Sequence, residues 1–282
     1  MCLQLLGWSC RQSPRPSALL LDSTWSAPEH LAGPCDLEIL PGNKILVSDS
    51  SLQAIFVFNE SGKELTRISH SSLGHPTALA ALSASEFFVA DIAGNSLLRF
   101  NLGGVLLHRF GDEGRSKGLM LRPMGLTLAP DSTLWMTEHG NRRVQAFGAT
   151  TQVFYGAPAD DSLQTPTGIV AARDGSVYVT DTATPRIWHL SAEMKVLSQW
   201  GKKAGLQKPL GVALDRFENI FVAEAGRSLI SVFSEEGKLL FEWKLNDLVP
   251  GASPTALAFD AENRLYVMSL HPPSVQRGVV QY

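Results

Sequence analysis

Residues 123–147 read PMGLTLAPDSTLWMTEHGNRRVQAF, and this stretch decides the fold. A proline opens a short aliphatic strand (PMGLTLA), a polar turn follows, and a second strand (TLWMTE) ends on Glu138. A second polar turn leads into a third strand, RRVQAF. Short strands separated by hairpin-sized turns describe an antiparallel meander. One such sheet has two faces to cover and cannot be stable alone.

The same unit recurs along the chain. Prolines 34, 76, 123, 166, 209 and 254 each open a short apolar strand: PCDLEIL, PTALAAL, PMGLTLA, PTGIVAA, PLGVALD and PTALAFD. The second strands are KILVSD, EFFVAD, TLWMTE, SVYVTD, NIFVAE and RLYVMS, each ending 15 positions after its proline. That last position holds Asp49, Asp91, Glu138, Asp181 and Glu224, and departs only at Ser269. A fourth strand follows in most repeats (KELTRI, GVLLHRF, KVLSQWG, KLLFEWK). Stacking successive sheets around an axis covers both faces of each, so the repeat predicts an all-β, six-bladed β-propeller of four-stranded antiparallel blades.

The segment SALLLDSTWS at 17–26 stands outside these repeats, whereas the sixth repeat lacks a fourth strand. LLLDSTW lines up with the fourth strands VLLHRFG and VLSQWG, placing Trp25 where they have Phe110 and Trp200. The third strand of the sixth repeat reads as VVQY after a long turn, LHPPSVQRG. The expectation is that residues 18–26 complete blade six by pairing with 279–282 and close the ring. The domain then spans 17–282, and residues 1–16 form a flexible tail.

These motifs resemble the NHL repeat, which has a Pro-x-Gly start, an aliphatic strand ending in Asp, then Asn-x-Arg-Ile/Val and a terminal Phe. Residues 123–147 carry that pattern with Glu138, Asn141, Arg143, Val144 and Phe147, and blade four keeps Asp181, Arg186 and Ile187. Blades one, two and five keep the acid and lose the Arg. The resemblance covers 34–282. It implies a non-catalytic protein-interaction scaffold, with a ubiquitin-ligase context because many such propellers are fused to RING and B-box modules. The chain itself has no Cys/His zinc module.

The repeated acids Asp49, Asp91, Glu138, Asp181 and Glu224 read as structural, accepting hydrogen bonds from turn N–H groups, with an Arg five residues on as partner. The aromatic residues Phe58, Phe100, Phe147, Phe233, Trp135, Tyr178, Phe221 and Tyr266 read as packing between blades. Strand direction sorts the loops, because inter-blade linkers and strand two–three turns share one face, here the linker face. It carries Arg115, Lys117, Arg122, His139, Arg142, Arg186, Lys202, Lys203, Lys208, Arg227 and His271. All but Lys208 and His271 form the candidate partner-binding set. The opposite face collects Glu60, Glu86, Asp131, Asp174, Glu193, Asp215, Glu218, Glu235, Glu236, Asp260 and Glu262.

A net charge of −3 argues against a dedicated polyanion binder. A protein partner is therefore the expectation, with RNA on the same basic face as the alternative and no DNA. A second alternative is a hydrolase or lyase, because related propellers hold calcium or zinc in the central channel. The innermost strands offer few ligands beyond Asp36, Glu38, Thr127, Asp215 and Asp260, with His70, His75, His139 and His271 in nearby loops. The expectation is no cofactor, no metal and no catalytic constellation. Cys2, Cys10 and Cys35 lack the spacing of a zinc site and read as reduced thiols. MCLQLLGWSC makes a poor signal peptide and no apolar run reaches a membrane span, so the expected location is cytoplasmic.

Overall fold

The computed structural model describes residues 14–26, 31–148 and 163–282. Six antiparallel sheets follow in chain order, the blades of a six-bladed propeller. Blade one comprises Pro34–Leu40, Lys44–Asp49, Ala54–Phe58 and Glu64–Ser69, each strand paired with the next. Blades two, four and five repeat this four-stranded meander. Blade three has three strands among the described residues, and its fourth-strand position falls in 149–162, outside them. The only helix among the described residues is one turn, Leu245–Leu248.

The aromatic positions are buried as their repetition implies, Phe221, Tyr266 and Phe100 with no exposure at all. Among the described residues the apolar core divides into six clusters, one at each junction between neighbouring blades. Phe58 and Tyr266 meet between blades one and six, and Phe87 and Phe100 pack with Leu46 and Val57 between two and one. The Pro-x-Gly start has a steric cause. A Cβ on Gly125 would collide with the Thr167 carbonyl, and one on Gly168 with the Leu210 carbonyl, both in the next blade. Glycine lets the innermost strands approach this closely.

The closing strand forms as expected. Ala18–Ser26 pairs antiparallel with Pro273–Gln281, from Ala18 opposite Gln281 to Ser26 opposite Ser274, in sheet order 18–26, 273–281, 264–270, 254–259. Trp25 stands opposite Val275, the register place of Phe110 opposite Leu97 and Trp200 opposite Ile187. Arg277 Nε donates to Asp22 Oδ1 at 2.8 Å across the seam.

One detail of that reading is corrected. The third strand of blade six begins at Pro273, because His271 and Pro272 alone form the turn between paired Leu270 and Pro273. The segment equivalent to VQAF (144–147) is therefore VQRG (275–278), not VVQY, and Gly278 stands where blade three has Phe147. A Cβ on Gly278 would lie 2.9 Å from both Leu19 Cδ1 and the Leu20 carbonyl. Buried Leu19 joins the cluster between blades five and six, so the closing strand supplies apolar bulk that the third strand lacks. At the other end, the expected tail 1–16 lies outside the described residues except for 14–16. There the Pro14 carbonyl accepts from Asn219 Nδ2 at 3.2 Å and Pro16 is buried.

Candidate functional site

The five repeated acids are fully buried, and each ties the linker entering its own blade to the turn after the second strand. Asp49 accepts from the N–H groups of Ala32 (2.7 Å) and Gly33 (3.0 Å) in the linker and of Leu52 (2.9 Å) in the turn. Asp91 does the same with Gly74, His75 and Gly94, and Asp181 with Gln164, Thr165 and Thr184. These bonds satisfy linker N–H groups that no strand pairs.

The expected Arg partner is realised unevenly. In blade three Arg143 Nε donates to Glu138 at 2.7 Å, while its other nitrogens donate to the carbonyls of Arg115, Ser116 and Leu119. In blade four Arg186 does not pair with Asp181. It donates to Gln199 Oε1 (2.6 Å) and to the Thr184 carbonyl, with its guanidinium 5.5 Å from the centre of the Trp188 ring. Blade five, which lacks Arg at the motif position, borrows Arg227 from three residues past Glu224. Arg227 bonds Glu224 at 2.6 Å and Glu242 at 2.7 Å. Blade six has Ser269 in place of the acid, and the buried Ser269 Oγ and Gln276 Oε1 are left without partners.

The linker-face set is thus mixed. Arg227 is committed to carboxylates, and exposed Arg142 donates to Gln164 at 2.9 Å. Arg115, Lys117, Arg122, Lys202, Lys203 and Lys208 are exposed and pair with no acid among the described residues. On the opposite face Arg264 pairs with Asp260, Glu262 and Glu60, and Arg173 with Glu218, while exposed Arg216 lies over the Phe217 ring.

On the propeller axis lies a cavity of about 570 Å³ walled by the innermost strands. His75 and His139 both line it, so two of the four loop histidines converge there. His70 instead packs edge-on against Phe100 at 5.5 Å, and His271 is exposed outside the lining. His139 Nε2 lies 3.3 Å from Thr167 Oγ1. Burial, aided by the Arg122 charge, pushes its imidazole down to about 4, so it is neutral at pH 7.

Asp36 and Glu38 supply the acidic wall. Two residues apart on one strand, they share a side and reach the innermost strand of blade two. There Asp36 accepts from Leu79 N–H at 2.9 Å and Glu38 from Ala81 N–H at 3.3 Å. Thr127 in blade three makes the matching bond to Ala171 N–H of blade four at 3.2 Å. Burial pushes the Asp36 carboxyl up to about 7, and burial together with the Asp36 charge pushes Glu38 up to about 8. Asp215 and Asp260 lie outside this lining and are held at the opposite face, by Asn219 and Tyr282 and by Arg264 respectively. The free thiol of Cys35 also lines the cavity, a member that its sequence neighbours did not announce.

The donor set does not fit the metal of related propellers. No group of three His, Cys, Asp or Glu side chains converges among the described residues, and both cavity carboxyls sit on one blade and accept backbone N–H groups. A Ser–His–Asp grouping does occur in blade four, where His189 Nε2 lies 2.9 Å from Ser176 Oγ. The Ser176 proton is donated to Asp174 Oδ1 at 2.6 Å, so the hydroxyl is not activated by the imidazole.

Several solved structures superpose on most of the chain. A streptogramin B lyase superposes with a TM-score of 0.69 at 13% identity, over 92% of this chain and 96% of that one. Virginiamycin B lyase from Staphylococcus aureus gives 0.69 at 17% identity, over 92% and 86%. Hydrazine synthase from Kuenenia stuttgartiensis gives 0.64 at 12%, over 89% and 97%. At such identities the likeness is one of fold. A search of curated protein sequences returns no match. The SMP-30/Gluconolactonase/LRE-like region matches residues 41–271, most of the chain, and NHL repeats are a related class of propeller. The chain belongs to the SMP-30/gluconolactonase/LRE-like family.

Proposed function

We propose that the axial cavity binds a small polar molecule and that Asp36 and Glu38 exchange protons with it. The carrying observation is the pair itself: two adjacent carboxyls titrating near neutrality on the wall of a cavity of about 570 Å³. A carboxyl whose pKa lies near the working pH is suited to general acid–base chemistry. At pH 7 Asp36 is partly ionised while Glu38 is mostly protonated, so Asp36 can accept a proton while Glu38 donates one. That is what an elimination or a hydrolysis without metal requires. Neutral His139 at the wall offers a further hydrogen-bonding group. Support comes from the family and from the lyases among the structural neighbours, one of them studied as a catalytically inactive histidine-to-alanine variant.

The test is a thermal-shift screen of small hydroxy acids, lactones and cyclic esters at neutral pH, repeated on Glu38→Gln. A compound that stabilises the native protein and loses its effect in the variant supports the reading. Stabilising compounds that act equally on both proteins place binding elsewhere and overturn it.

The second reading is a docking platform on the linker face, favoured by the exposed cations that pair with no acid among the described residues. A ubiquitin-ligase association and RNA binding are the finer forms of it that the NHL resemblance suggests. No helix among the described residues is long and apolar enough to cross a membrane.

A further inference from the structure

We infer that the linker face of blades four and five docks an acidic protein segment, with one Asp or Glu carboxylate seated between Arg186 and Lys202. This goes beyond the axial-cavity reading and does not depend on it. A recess of about 290 Å³ lies there, lined by Thr184, Pro185, Arg186, Lys202 and Leu206. Two cations beside a proline and a leucine suit a carboxylate carried on an apolar stem.

Arg186 is held ready for such a contact. Its guanidinium is fixed by Gln199, the Thr184 carbonyl and the Trp188 ring, and none of these partners is an acid. Its charge is therefore not neutralised, and a fixed fork loses little entropy on binding a carboxylate. Lys202 lines the recess with it, and Lys203 and Lys208 stand on the same linker, all three exposed and without an acid partner among the described residues. On the opposite face Arg173, Arg264 and Arg277 each hold a carboxylate, and among the described residues Arg216 alone there is left to an aromatic ring.

The occupant is read as protein because single-stranded RNA recognition relies on aromatic side chains on which bases stack. The large exposed apolar residues among those described are Leu20, Leu65, Val105, Leu107, Val196, Leu197, Leu239, Val279 and Tyr282. Tyr282 is the one aromatic in that set, and it packs edge-on to Phe217 and bonds Asp215, away from the recess.

The experiment is fluorescence anisotropy on the full chain, using a labelled peptide of alternating Glu and Leu, its Gln-for-Glu counterpart and a labelled oligouridine. The comparison variant is Lys202→Glu with Lys203→Glu, two exposed positions whose exchange leaves the fold intact, as unchanged melting will verify. The expected result is binding of the acidic peptide that weakens roughly tenfold or more in the variant and with added salt. The Gln peptide should bind poorly. Equal binding by native protein and variant overturns the proposal, as does tighter binding of oligouridine than of the acidic peptide.

Discussion

Arg143 Nε donates to Glu138 Oε1 at 2.7 Å, with the carboxylate wholly buried and the guanidinium nearly so. The same guanidinium caps three linker carbonyls, at 2.6 Å for Arg115, 3.0 Å for Ser116 and 2.7 Å for Leu119. Arg143→Ala therefore strands a buried carboxylate and frees those carbonyls together. The expected loss is about 3–5 kcal/mol in chemical denaturation. Arg143→Lys keeps the charge but not the fork, and should fall between the native protein and Arg143→Ala. Arg227→Ala in blade five should cost less, because water reaches Arg227 and can partly solvate what its removal leaves.

The seam between the closing strand and blade six depends on Gly278. With Leu19 Cδ1 and the Leu20 carbonyl each 2.9 Å from where its Cβ would stand, Gly278→Val must push the strand Ala18–Ser26 outward. Overpacking of this kind costs about 1–3 kcal/mol. The readout is limited proteolysis within 18–26, faster in the variant, together with a lower melting temperature. Asp22→Asn, which weakens only the exposed pair with Arg277, should change stability by less than about 1 kcal/mol.

The cavity carboxyls make stability depend on pH. Glu38 titrates near 4.5 in the unfolded chain and at about 8 when folded, and Asp36 moves from 3.8 to about 7. The folded state holds these protons more tightly, so their favourable contribution is complete below about pH 4 and is lost as pH rises through about 7 and 8. Stability from these groups should decline across that window and level off above it. Glu38→Gln keeps an acceptor for Ala81 N–H but cannot ionise, so it should flatten the slope. At about pH 8 it should exceed the native protein by about 1–3 kcal/mol, measured by denaturation at a series of pH values.

The ring of six blades was legible because the proline, the interior aromatic and the strand-ending acid return in fixed order, as Pro123, Trp135 and Glu138 do in blade three. The closing strand was legible for the same reason, since Leu19 and Trp25 complete a pattern that blade six left short. The register of its neighbour was not. VQRG and VVQY both resemble VQAF, and only the two-residue turn at His271 and Pro272 decides between them.

The candidate site was less legible. Sequence named Asp36, Glu38 and His139 as residues of the inner strands and loops without showing that they share one cavity, because contacts between blades join residues far apart in the chain. Nor did it show that Arg227 would replace the missing motif Arg of blade five, or that Arg186 would turn from Asp181 to Gln199. Sequence by itself determined the repeat, hence the number of blades and the burial of their shared faces, because periodic patterning dictates which side chains leave water. Tertiary structure alone decided which polar groups meet and how their protons are held. Those properties arise from burial at blade junctions and from partners on other strands, and no single repeat contains them.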